Sequence, residues 1–231
     1  MITNSQCWLR GNPKLCNQSE CDKPTCTRLI KLDRLFSNAG ISLPQRKQKS
    51  LIIRSGRNEI DRNSYKQLNS IKNNISDFVD SGRNLYIYSE GVGNGKTEWA
   101  LKLIKAYFDI IWPTSKLEEC RALFINVPKF LLDLKENISN KSERVEYIKD
   151  NILTCDIVVF DEIGAKENTT YELDHLLSYI NSRILDNKTC IYTSNIKPSA
   201  LSNYVGDRLS SRIVNMSVVI ELKGKDMRGV E

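Results

Sequence analysis

Apolar positions along this chain keep two different periods, and the switch between them divides it into two regions. Residues 1–27 are polar and rich in cysteine. Over residues 28–40, Leu29, Leu32, Leu35 and Phe36 fall on one face of a helix, and Gly40 ends it. Residues 41–58 read as an irregular basic linker with Pro44 and Gly56. Residues 59–80 return to helical spacing through Ile60, Leu68, Ile71, Ile75, Phe78 and Val79, so a helix leads into the second region. From residue 84 short β-rich runs alternate with helical stretches. The runs LYIYS (85–89), ALFINV (122–127), DIVVFD (156–161), CIYTSN (190–195) and SVVIEL (217–222) predict strands. The spacing predicts helices over 97–111, 170–186 and 206–214, and Pro128 opens another, because proline suits the first helical position. DIVVFD is almost wholly apolar, as a strand buried in the middle of a parallel sheet must be. The alternation predicts an α/β fold over residues 59–231, a parallel sheet with helices on both faces, preceded by a small Cys-rich N-terminal module over residues 1–58.

A chain of 231 residues, 40% hydrophobic and 27% charged, is long enough for one such core and a small appendage. No apolar run approaches the roughly 18–20 residues of a membrane span, and the start, MITNSQCWLRGNPKLC, lacks the apolar stretch of a signal peptide. The expectation is a cytoplasmic protein with no membrane contact. The net charge of +6 is uneven: residues 1–80 hold 14 Lys and Arg against 7 Asp and Glu, and residues 81–231 hold 20 against 21. The densest stretch, Arg46, Lys47, Lys49, Arg54 and Arg57, suits a phosphate backbone or an acidic protein face, and equally a solvated basic linker.

Four of the seven cysteines, Cys7, Cys16, Cys21 and Cys26, have the spacing C-x8-C-x4-C-x4-C. Four thiolates are the right number for a tetrahedral structural zinc ion, which a reducing cytosol favours over disulfides. The lone His175 is far from them in sequence and reads as an ordinary helix residue. Cys120, Cys155 and Cys190 lie near apolar runs and read as buried small residues.

The loop after the first strand carries the chemistry: Glu90, Gly91, Val92, Gly93, Asn94, Gly95, Lys96, Thr97. Glycines let successive backbone N–H groups face a phosphate, and the following helix adds its positive end. Lys96 would reach the β- and γ-phosphates of ATP, and the Thr97 hydroxyl would ligate Mg²⁺. The pattern G-x-x-x-x-G-K-[ST] has Glu90 where its first glycine belongs. Downstream, Ile157-Val158-Val159-Phe160 ends in Asp161 and Glu162. Asp161 would hold Mg²⁺, and Glu162 would act as general base on the attacking water. Asn195, ending the next strand, either positions that water or caps a turn before Pro198. Arg208 and Arg212, four apart in GDRLSSRIV, share one helix face. They either stabilise phosphoryl-transfer charge in trans or form a solvated basic face.

The order GVGNGKT, VVFDE, YTSN, DRLSSR resembles that of the AAA+ ATPases, and within them the bacterial DnaC/DnaI helicase-loader group, which includes the transposon-associated IstB ATPases. The runs LYIYSEGVGNGKTEWALKL, LFINVPKFLLDLKENI and VIELKGKDMR are similar to phage-encoded and mobile-element DnaC-like proteins of Gram-positive bacteria. The resemblance covers residues 60–231, with a weaker likeness at the Cys-rich start. It implies a P-loop AAA+ fold, with Lys96 and Thr97 at the Walker A positions and Asp161 and Glu162 at the Walker B positions. Asn195 takes sensor 1, Arg212 the arginine finger with Arg208 as its helper, and Arg228 sensor 2. It further implies self-association through the finger, a hexameric replicative helicase as partner, and single-stranded DNA. In these relatives the region matching residues 128–153 carries a helix facing single-stranded DNA. Lys129, Lys135, Lys141 and Arg144 would serve there, though the interspersed acids suit a plain surface helix pair as well. The zinc-bearing N-terminal module of DnaI-like loaders meets the helicase, which agrees with a zinc reading of the cysteines.

Three functions fit: a helicase loader, a transposition regulator that coats duplex DNA, and a nucleotide-binding adaptor without turnover. Glu162 argues against the last, since a pure binder needs no base. The Cys-rich module and basic linker favour the first over the second.

Overall fold

The computed structural model describes residues 7–9, 16, 21, 26–47, 59–166 and 169–223. Among them, strands β1 (Asn84–Tyr88), β2 (Ala122–Asn126), β3 (Ile157–Asp161), β4 (Thr189–Ser194) and β5 (Ser217–Glu221) form one sheet in the order β2-β3-β4-β1-β5. Every neighbouring pair is parallel. Because side chains alternate across a strand, β1 to β4 each feed two cores, while β5 at the edge feeds one through Ile220 and leaves Val219 exposed. Leu85, Ile87, Ile157, Val159 and Ile191 enter one cluster, and Tyr86, Val158, Phe160, Cys190 and Tyr192 the other.

The first cluster is covered by α1 (Thr27–Asn38), α3 (Glu59–Asn73), α4 (Ile75–Asp80) and α5 (Lys96–Ile111). The second is covered by α6 (Val127–Glu136), α7 (Glu143–Asn151), α8 (Thr170–Leu185) and α9 (Ser202–Asn215). The expected doubly covered parallel sheet is therefore present. The expected single helix over 59–80 is two helices. Asn74 Nδ2 donates to the Ser70 carbonyl at 2.9 Å and its backbone (φ −116, ψ 37) leaves the helix, an amide side chain competing with the ladder. The expected irregular linker contains a short helix, α2 (Leu43–Lys47), where Arg46 pairs with Asp33 and donates to the Ile41 carbonyl at 2.9 Å. α9 starts earlier than periodicity indicates and kinks at Gly206, whose φ of 77 no other residue adopts cheaply.

The N-terminal residues are docked on this core. The Phe124 N–H donates to the Ala39 carbonyl at 2.8 Å, and Tyr147 Oη donates to the Asn38 carbonyl at 3.1 Å. The outer edge of β2 is thus partly covered rather than offered to another chain. At the amino end of the sheet, Arg183 of α8 is fully buried. Its guanidinium donates to the carbonyls of Ile152, Cys155, Asp156 and Thr189 at 2.7–3.1 Å. Cys120, Cys155 and Cys190 are buried, as expected.

The zinc site expected at Cys7, Cys16, Cys21 and Cys26 finds no support. Among the described residues no group of three or more His, Cys, Asp or Glu side chains gathers as a metal site. Cys7, Cys16 and Cys26 instead pack as small apolar groups against the first cluster.

Candidate nucleotide-binding site

The loop joining β1 to α5 turns twice through left-handed backbone, at Gly93 (φ 71) and Gly95 (φ 86). Gly95 caps α5, and a Cβ there would meet nothing within 4 Å, so conformation rather than space demands glycine. At Gly91 a Cβ would lie 3.2 Å from the Asn94 side-chain nitrogen, a tight approach that Asn94 would have to give way to. Val92, Gly93, Asn94, Gly95, Lys96 and Thr97 line a cavity of about 420 Å³ with Glu162, Thr193 and Asn195. The N-terminal end of α5 thus opens into that cavity, as an anion site requires. Lys96 Nζ donates to the Gly91 carbonyl at 2.9 Å. Glu90, the departure from the glycine pattern, faces solvent and pairs with Lys197 at 3.8 Å.

The second half of the site stands two strands away. Thr97 Oγ1 donates to Asp161 Oδ1 at 2.9 Å, joining the two motifs across 64 residues of sequence. Asp161 is 4% exposed, and Thr193 Oγ1 of β4 also donates to its Oδ1, at 2.6 Å. Burial pushes the Asp161 carboxyl up from the usual range, Thr193 and Thr97 work against that, and the Glu162 charge adds to it. Hydroxyl and carboxylate oxygens are the donor set a hard divalent cation such as Mg²⁺ takes, so Thr97 and Asp161 fit that ion.

Glu162 is exposed toward the cavity and holds a φ of 62, uncommon for a side chain with a Cβ. Its N–H donates to Thr193 Oγ1 at 3.0 Å, and the next N–H, of Ile163, donates to the Thr193 carbonyl at 2.9 Å. Its carboxylate accepts from Asn126 Nδ2 at 2.9 Å. Asn126 ends β2 opposite Asp161 in the ladder, and its Oδ1 accepts from the Lys129 N–H at 3.2 Å, capping α6. Sequence reasoning named neither Asn126 nor Thr193. Asn126 had one local sign, an amide just before the Val127-Pro128 helix start. Thr193 had none.

Asn195 is exposed and lines the cavity. Arg208 and Arg212 are exposed on α9 and do not line it. They border a second cavity, of about 640 Å³, beside Asp174 and Asn181 of α8. Lys129, Lys135, Lys141 and Arg144 are exposed around α6 and α7, with Lys135 paired to Glu172 at 3.2 Å. Arg228 lies outside the described residues. No helix among the described residues is long and apolar enough to cross a membrane.

No curated protein matches the chain. Among solved structures, a putative primosome component from Streptococcus pyogenes serotype M3 is 20% identical, with 86% of this chain and 98% of that one covered and a TM-score of 0.61. The DnaC helicase loader is 17% identical, covering 72% of this chain and 92% of that one, with a TM-score of 0.59. A replication initiator DnaA bound to AMPPCP and single-stranded DNA is 18% identical, covering 73% and 48%, with a TM-score of 0.56. At these identities the likeness shows a shared fold, the AAA+ P-loop fold expected from the motif order. Residues 59–221 match the family model of the bacterial DnaA ATPase domain, and by that match over most of its length the chain belongs to this family of AAA+ ATPase domains.

Proposed function

We propose that this chain is an ATP-hydrolysing loader that places a hexameric replicative helicase on single-stranded DNA. The observation that carries the enzymatic part is the contact of Thr97 with Asp161 at 2.9 Å beside the phosphate loop, with Glu162 next to both. The backbone N–H groups of Gly93–Thr97 would bind the phosphates, and Lys96 would exchange its loop carbonyls for their oxygens. Thr97 and Asp161 would hold Mg²⁺, which supplies charge neutralisation at the β- and γ-phosphates when bound. Glu162 would take the proton of the attacking water, with Asn126 fixing its carboxylate and Asn195 orienting the water. Because Asn126 also caps α6, the position of the base is tied to the helix pair α6–α7. Arg212, with Arg208, would complete the site of a neighbouring subunit; their separation from the chain's own cavity suits action in trans. Arg228 would sense the nucleotide from beyond the described residues.

Residues 1–58 would choose the helicase, with α1 anchoring that segment to the ATPase core. The loader reading draws support from the fold shared with the DnaC helicase loader, and the single-stranded DNA from the DnaA structure that binds it. The test is light scattering of the purified chain mixed with a hexameric replicative helicase, with and without an ATP analogue. A complex lost on deleting residues 1–58 is the expected result. Absence of any complex, together with coating of duplex DNA, overturns the loader reading in favour of a transposition regulator. Lys96→Ala should lose nucleotide-dependent behaviour, and unchanged hydrolysis in that variant would sink the site.

A further inference from the structure

Between α3 and the start of α5 lies a groove of about 570 Å³ outside the nucleotide site. Arg62 and Lys66 stand one helical turn apart on α3, and Asn69 and Asn73 continue along the same helix. The described lining contains no carboxylate. Trp99 of α5 lines the groove, stacked against Tyr65 with ring centroids 6.0 Å apart.

Two observations favour an anionic, hydrogen-bond-accepting ligand for the groove. Trp99 is 3% exposed, yet its indole Nε1–H has no acceptor among the described residues. Buried donors are ordinarily paired, and one lining a groove is explained when a ligand brings the acceptor. Further cations lie near the Trp99 ring, outside the groove lining. Lys102 Nζ sits 4.9 Å from the Trp99 ring centroid, and burial pushes its ammonium toward the neutral form. Glu98 opposes that shift, while Lys72 and Lys105 add to it by repulsion. A bound anion would add to the compensation that Glu98 gives Lys102 at 3.8 Å.

The row from Arg62 to Asn73 runs about 16 Å along α3, long enough for a chain of phosphates rather than one. Amide side chains pair with base edges, and those edges are open only in an unpaired strand. We propose that the groove between α3 and α5 holds single-stranded DNA, with Arg62 and Lys66 neutralising its phosphates and Trp99 Nε1–H, Asn69 and Asn73 meeting its sugar and base acceptors. The inference rests on the reading that the chain handles single-stranded DNA. It adds a contact surface apart from the lysines of α6 and α7.

The test is anisotropy of fluorescein-labelled oligo-dT titrated with the full chain and an ATP analogue over a range of salt. The double variant Arg62→Ala, Lys66→Ala should bind on the order of tenfold more weakly, with a salt slope shallower by about 1.4, at about 0.7 for each of two phosphate contacts on a single strand. Trp99→Phe keeps the ring but removes the donor, and should weaken binding by about threefold. Unchanged binding of a fluorescent ATP analogue shows that the variants are folded. If wild type binds and both variants match it in affinity and salt slope, the groove is overturned and the loader reading stands. If wild type binds no single strand, both fall. Equal weakening on duplex DNA overturns the single-strand assignment.

Discussion

The two ends of the sheet use polar groups in opposite ways. At the amino end Arg183 is fully buried and its guanidinium meets four backbone carbonyls. At the carboxyl end Asp161 is nearly as buried but meets two hydroxyls and, among the described residues, no cation, while Glu162 holds a positive φ beside an open cavity. Both ends are built on β3 and β4, so secondary structure is not what separates them. The amino end is closed on itself and serves stability. The carboxyl end keeps charge poorly compensated within the protein, and such sites trade stability for chemistry.

Glu162→Gln removes the base from the carboxyl end. Hydrolysis should fall by about 10²–10⁴-fold with nucleotide binding kept, in a steady-state phosphate-release assay beside a binding titration. A normal rate would remove the general base from the carboxyl end. At the other end, Arg183→Met should lower unfolding stability by about 3 kcal/mol, since buried carbonyls lose their donor, while the rate per folded molecule stays unchanged. Urea unfolding measures the loss; a variant as stable as wild type would mean the amino end is not the structural one. Asp161→Asn should do the reverse, raising the stability of the nucleotide-free protein by about 1 kcal/mol as hydrolysis disappears. A drop in its melting temperature would show that the carboxylate is already well compensated.

Glu172 sharpens the contrast, being a carboxylate near the active end that is satisfied. Burial raises its pKa, but hydrogen bonds from the Thr169 backbone and hydroxyl and from Lys135 and Lys166 outweigh that and hold it at about 2, against an ordinary 4.5. Its folded value lies below the unfolded one, so its stabilisation is present above about 4.5 and is lost as the pH falls toward about 2. Glu172→Gln should flatten the pH dependence of stability in that window. An identical profile for variant and wild type would deny it this role.

The phosphate loop and the acid pair were legible because their residues are contiguous and their chemistry is local: glycines before Lys96, an apolar strand before Asp161. The strands were legible for the same reason, to within a residue or two at their ends. Asn126, Thr193 and Arg183 were not. Each acts through a partner brought near by the sheet rather than by the chain, and Arg183 on a helix face looks like any surface arginine. The cysteine spacing counted four candidate ligands, and spacing does not say whether they converge; among the described residues no such group gathers.

By itself the amino-acid sequence determined the alternation of strands and helices, the loop that faces phosphate and the carboxylates that follow the third strand, because periodicity and glycine conformation are properties of short segments. The tertiary structure decided which distant groups meet: Thr97 with Asp161, Asn126 with Glu162, Arg183 with four carbonyls, and Trp99 with a basic groove. Those pairings depend on strand order and register, which burial on both faces of the sheet selects only when the whole chain packs.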